Sequence, residues 1–127
     1  MNVRDFMKIA LVGASPNPSK YGNIILRDLV GKGYEVLPVN PKHEEIEGLR
    51  CYRSVRELPG DVDVIVFVVP PAVGLGIAKE AVEAGFKRLW FQPGAESDEI
   101  ARLLDEKGVE YGFGKCIIAE TTWTSWG

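Results

Sequence analysis

The sequence predicts an α/β domain built on an open, mainly parallel sheet of about five strands, and three observations predict it. Short apolar runs alternate with amphipathic ones along the whole chain, the pattern of strands joined by helical crossovers. Three of the runs are nearly continuous in Val, Ile, Leu or Phe, as strands covered on both faces require. Glycines fall directly after the helical patterns, where a left-handed residue stops a helix.

The first strand is KIALVG, Lys8–Gly13. A helical pattern follows over Ile24–Lys32, with Ile25, Leu29 and Lys32 on one spacing and Gly33 as the stop. EVLPVN (Glu35–Asn40) is the second strand, and Pro41–Gly60 is expected to be loop, with an extended piece near Tyr52 and a helical turn at Ser54–Glu57. DVIVFVV (Asp63–Val69) is the third strand, leading to a helix over Val73–Ala84 with Ile77, Ala81 and Ala84 in a stripe ended by Gly85. RLWF (Arg88–Phe91) is the fourth. Ser97 is placed to cap a helix over Asp98–Lys107, with Ile100, Leu103 and Leu104 inward and Gly108 at its end. VEYGF (Val109–Phe113) is the fifth strand. The result is one doubly wound, Rossmann-like domain over residues 1–127.

Composition narrows the function classes. A hydrophobic share of 46% is that of a folded domain, and a net charge of −3 without a basic run gives no footprint for nucleic acid. No apolar stretch reaches the roughly 18 residues of a membrane span, and Met1–Met7 lacks a signal-peptide core, so a cytoplasmic protein is expected. Two cysteines, Cys51 and Cys116, make neither a disulfide framework nor a zinc site.

Open sheets of this kind bind ligands beyond the carboxyl ends of their strands, at the switch point of strand order. Gly13-Ala14-Ser15, Asn40-Pro41-Lys42, Pro70-Pro71, Gln92-Pro93-Gly94 and Lys115-Cys116 all follow strands. Gly13 and Ala14 let a phosphate approach the backbone, Ser15 adds a hydroxyl, and Gly22 opens a helix near its positive end. The dinucleotide fingerprint is absent, because G-A-S-P-N-P lacks the second and third glycines. Lys42 stands where an NAD domain carries Asp or Glu, which disfavours NAD and leaves a ribose phosphate, as in NADP or coenzyme A. Glu44, Glu45 and Glu47 read as a solvated face, and Glu96, Asp98 and Glu99 as dipole-compensating residues at a helix start.

The segments VGASPNPSKYG, VLPVNPKHEEIEGLRCYRSVRELP, VDVIVFVVPP, AVEAGFKRLWFQPGA and KCIIAE together resemble the small CoA-binding protein family. That family is itself similar to the N-terminal CoA-binding domain of the succinyl-CoA synthetase α subunit. The resemblance runs from about Lys8 to Glu120. It implies that Gly13, Ala14 and Ser15 hold the pyrophosphate, helped by Lys20, Tyr21 and Gly22. Asn40, Pro41 and Lys42 would meet the adenosine ribose and its 3′-phosphate. Val69, Pro70 and Pro71 would wall the adenine, with Val73 beginning the next helix. Gln92, Pro93 and Gly94 would flank the pantetheine arm, and Cys116 would lie near its thiol end, with Cys51 too far away to compete.

The expected function is a non-catalytic CoA-binding module, a carrier, sensor or regulator that takes CoA or acyl-CoA and forms a reversible mixed disulfide through Cys116. Lys115 beside that cysteine is expected to lower its pKa. The one histidine, His43, follows Lys42 in the adenosine-side loop, and no second domain is expected to supply a substrate pocket, so acyl-CoA ligase chemistry is expected to lack its phosphoryl carrier. The alternative from another class is the NADP-binding domain of a reduced oxidoreductase. Trp123 and Trp126 are expected to cover a core edge or a homodimer contact.

Overall fold

The computed structural model describes residue 1 and residues 5–121; Trp123 and Trp126 lie outside the described residues. In chain order come β1 (Lys8–Val12), α1 (Tyr21–Gly31), β2 (Glu35–Val39), β3 (Glu45–Ile46), β4 (Leu49–Arg50) and a 3₁₀ turn at Val55–Glu57. Then follow β5 (Val64–Phe67), α2 (Pro71–Glu83), β6 (Arg88–Phe91), α3 (Asp98–Lys107), β7 (Glu110–Gly112) and α4 (Ile117–Glu120).

The main sheet has five strands in the order β2-β1-β5-β6-β7, and every pairing in it is parallel. The chain steps outward from β1 to β2 and then returns past β1 to lay down β5. The order therefore reverses between β1 and β5, and their carboxyl ends open onto a crevice. This is the Rossmann-like fold that the alternation of elements predicts.

Strand side chains alternate between two apolar layers. Ile9 and Leu11 of β1 pack with Ile25, Leu26 and Leu29 of α1 and Ile117 of α4. Ala10 and Val12 face the other way, into Phe67, Phe91, Ala78, Ala81, Ile100 and Leu104 beside α2 and α3. Phe67 and Phe91 stack across neighbouring strands at 4.4 Å between ring centroids.

Helix α3 begins as its sequence predicts, with the Ser97 hydroxyl accepting from the Ile100 N–H at 3.1 Å. The other two long helices begin earlier. α1 starts at Tyr21 and not Ile24, because Gly22 and Asn23, weak helix formers, are held by packing and side-chain bonds described below. α2 starts at Pro71, with Pro70 as its cap; a proline in the first turn gives up no helical hydrogen bond.

Pro41–Gly60 holds more structure than expected. Tyr52 forms the anticipated extended bridge to Val39, and Ser54 caps the 3₁₀ turn by accepting from Arg56 N–H. The antiparallel hairpin β3–β4 is an addition. Its two turn residues, Glu47 and Gly48, have φ of 52° and 77°, the backbone of a tight hairpin turn. Glutamate where asparagine is usual hides that turn in the sequence. On the outer side of β2, Pro38 carries its carbonyl to Tyr52 N–H at 2.8 Å.

Candidate functional site at the switch point

The crevice between the ends of β1 and β5 is two connected spaces. The larger, about 560 Å³, is lined by Gly13, Asn40, Pro41, Lys42, Val69, Pro70 and Val73 of the expected residues. Its lining also includes Arg53, Ser54, Val55, Ile77 and Glu80, which sequence reasoning missed because they come from the irregular segment before β5 and the side of α2. The smaller, about 300 Å³, is lined by Tyr21, Pro71, Gln92, Pro93 and Gly94. Val69 and Pro70 line both, so the spaces meet at the turn into α2. Val73, an apolar side chain 51% exposed, stands open at the larger space.

Backbone geometry at the β1–α1 loop explains its glycines. Gly13 has φ of +96°, and a Cβ there would strike the Val68 carbonyl oxygen and come within 2.9 Å of Val69 Cγ1. A Cβ on Gly22 would strike the Gly13 carbonyl oxygen. Both positions are thus demanded by the protein's own backbone, which crosses itself closely here. The two glycines do the tight-turn and helix-approach work of the dinucleotide fingerprint at a different spacing.

The same loop carries N–H groups that the protein does not use, with Ala14 and Gly22 themselves buried. Among the described residues, the N–H groups of Ala14, Ser15, Tyr21 and Gly22 meet no protein acceptor. Tyr21 and Gly22 form the first turn of α1, where unpaired donors and the helix dipole favour an anion. The carbonyls on the loop are held: Asn40 Nδ2 donates to Ala14 O at 2.9 Å, and Asn23 Nδ2 to Ser15 O at 2.9 Å. The Asn40 amide is turned into the loop, and its Oδ1 accepts from Lys42 N–H. The Ser15 hydroxyl accepts from Asn17 N–H at 3.1 Å. Lys20 sits exposed at the cap of α1 and lines neither space.

Cys116 lines neither space, but its thiol lies against Tyr21 and Gln92, which line the smaller one. Cys116 caps α4, and its Sγ lies 3.2 Å from Tyr21 Oη and 3.1 Å from Gln92 Nε2. Gln92 is 1% exposed, and its Oε1 accepts from Trp90 Nε1 and from Ile117 N–H. Burial pushes the Cys116 thiol up, but the hydrogen bonds from Tyr21 and Gln92, with the Ile118 and Ala119 N–H groups, outweigh it and hold its pKa below the ordinary value. Lys115 is not the cause as expected; it faces Glu120 at 3.5 Å. Cys51 is buried, and burial raises its pKa. Tyr21→Phe removes the hydroxyl donor, so the Cys116 alkylation profile is expected to move to higher pH. An unmoved midpoint in a pH series with iodoacetamide would show that Tyr21 does not hold the thiolate.

Glu47 is not simply part of a solvated face. Its carboxylate accepts from the buried Asn23 amide at 3.0 Å. Asn23 itself is a site residue that only a helix beginning at Tyr21 makes visible.

The parallel sheet and the crevice at its switch point define a Rossmann-like α/β domain. The chain belongs to the CoA binding domain family, which it matches over residues 7–122. It is 30% identical over 110 residues to the uncharacterized protein YneT of Bacillus subtilis, covering 87% of this chain and 82% of that one. It is 35% identical over 114 residues to the ADP-forming acetate–CoA ligase I of Archaeoglobus fulgidus, covering 82% of this chain but 16% of the ligase. Among solved structures, a conserved hypothetical protein from Pyrococcus furiosus superimposes with a TM-score of 0.91 at 78% identity, covering 91% of this chain and all of that one.

Proposed function

We propose that the protein is a non-catalytic coenzyme A-binding protein, a carrier, sensor or regulatory module that takes CoA or acyl-CoA in the switch-point crevice. The observation that carries the reading is the set of unused N–H groups on Ala14, Ser15, Tyr21 and Gly22, in the stretch that runs from Gly13 on the larger space to the start of α1, where Tyr21 lines the smaller. A diphosphate there has donors at its centre, a larger chamber for adenosine on one side and a narrower one for pantetheine on the other. Pro41, Val69, Pro70, Pro71 and Val73 offer the adenosine and the turn apolar contact, and Lys42 supplies charge for the 3′-phosphate. Pro93 and Gly94 border the pantetheine path, which ends at Cys116.

Membership of the CoA binding domain family supports this ligand, and the similarity to part of an ADP-forming acetate–CoA ligase supports the same ligand. The one histidine, His43, stands in the loop after β2, next in sequence to Lys42 of the larger space, which it does not itself line. That placement supports binding without phosphoryl transfer. We place the protein in the cytoplasm, where free thiols such as Cys51 and Cys116 persist. Among the described residues no helix is long and apolar enough to cross a membrane.

Titration with CoA, 3′-dephospho-CoA and NADP, followed by calorimetry and by tryptophan emission, tests the reading. Trp90 is tied to the Cys116 loop through Lys115 O at 3.0 Å, so pantetheine binding is expected to change its emission. Saturation by NADP in preference to CoA would overturn the assignment in favour of an oxidoreductase nucleotide domain. Lys42→Ala is expected to weaken CoA by about 1–3 kcal/mol, as for a charge-assisted hydrogen bond, and 3′-dephospho-CoA much less. Equal losses for the two ligands would remove Lys42 from the 3′-phosphate.

A further inference from the structure

Asn23 is fully buried, and its amide reaches three groups from three parts of the chain. Arg27 Nε donates to Oδ1 at 2.6 Å, which fixes the orientation of the amide. Nδ2 then faces Ser15 O at 2.9 Å and Glu47 Oε2 at 3.0 Å. Glu47 holds that place from a hairpin turn at φ 52°, a backbone region unfavourable for glutamate. A residue kept in such a conformation has a use for it.

Asn40 treats the preceding carbonyl alike, with Nδ2 2.9 Å from Ala14 O. A peptide plane is rigid, so a carbonyl held on one side sends the following N–H to the other. Holding Ala14 O inward sends the Ser15 N–H outward. Holding Ser15 O fixes the next plane, and Pro16 after it has no N–H to compete. Gly13 N–H is itself tied to Val39 O at 3.2 Å, which anchors the start of the loop.

We propose that Asn23, oriented by Arg27 and Glu47, and Asn40 are positioning residues for diphosphate recognition: Asn40 holds Ala14 O inward so that the Ser15 N–H faces the ligand, and Asn23 holds Ser15 O so that the peptide plane after it, which has no N–H, stays fixed behind that donor. This rests on the reading of the crevice as a CoA site. Neither asparagine touches the ligand in this arrangement. Each acts through the loop, in an organisation that lowers the reorganisation needed on binding.

The test compares two ligands on wild type and Asn23→Asp. The substitution keeps the shape and places an oxygen against Ser15 O and the Glu47 carboxylate. CoA carries the diphosphate; adenosine 3′-phosphate carries only the adenosine end. Asn23→Asp is expected to raise the Kd of CoA at least tenfold while changing that of adenosine 3′-phosphate less than twofold. Equal factors for the two ligands, or no change for CoA, would overturn the positioning role. Wild-type protein that binds neither ligand would overturn the CoA reading and this proposal with it. Amide resonances of wild-type protein supply a second measurement should the variant not fold. Ala14 and Ser15 N–H are expected to shift on addition of CoA and not of adenosine 3′-phosphate, and unshifted resonances under saturating CoA would also overturn it.

Discussion

Gly13→Val is expected to destabilise the protein by roughly 3–5 kcal/mol and to remove CoA binding with it. Two effects add. The backbone at φ +96° is closed to a β-branched residue, and the new Cβ would collide with the Val68 carbonyl oxygen. Neither neighbour can step aside, because Val68 N–H is tied to Val12 O at 2.9 Å within the sheet's own ladder direction. Against a domain stability of about 5–15 kcal/mol the loss is large, and in urea the midpoint is expected to fall by roughly 2 M. Gly94→Ala separates the two effects. Gly94 has φ +94° but nothing within 4 Å of an added Cβ, so it carries the conformational penalty alone. Gly13→Ala is expected to cost clearly more than Gly94→Ala. Equal midpoints for those variants would mean that the β1–α1 loop can lift away from Val68.

A covalent adduct on Cys116 is the second large effect, because it is present or absent. The thiolate attacks one sulfur of CoA disulfide; the S–S bond breaks, one CoA departs as its thiolate, and the other remains joined to Sγ. Tyr21 and Gln92 stabilise the attacking thiolate, and both also line the narrower chamber. Intact mass after incubation with CoA disulfide is expected to show one CoA, removed by excess thiol. The adduct should disappear in Cys116→Ser and persist in Cys51→Ser, since Cys51 is buried with its pKa raised. The pH sign follows from the thiolate requirement: attack strengthens as pH rises through the depressed pKa of Cys116 and is lost below it. An adduct that maps to Cys51 would contradict the placement of the pantetheine end.

The sheet was legible in the sequence because parallel strands buried on both faces leave nearly continuous apolar runs, and three of the five strands carry them, though β7, Glu110–Gly112, does not. Their order was not, since nothing in a run names its neighbour. The loops after the strands were legible for the same reason as the strands. What escaped was held by distant contacts. Asn23 lies in a stretch of poor helix formers, and only Ser15, Arg27 and Glu47 give it a place. Arg53 and Glu80 belong to the crevice through tertiary approach of the 3₁₀ turn to α2, which no spacing encodes. The depressed pKa of Cys116 was expected from its neighbour Lys115 and comes from Tyr21 and Gln92, both remote in sequence.

Pro38 has a bearing on how copies of this chain meet. β2 is an outer strand, and at Pro38 the atoms that point away from β1 are a carbonyl already engaged by Tyr52 and a nitrogen with no hydrogen to give. A foreign strand laid along that rim finds a missing rung, with Tyr52 standing in the gap. The opposite rim, β7, offers only three residues. Sheet-to-sheet polymerisation is thereby discouraged at both margins, and crowding at high concentration need not template fibrils from the native state.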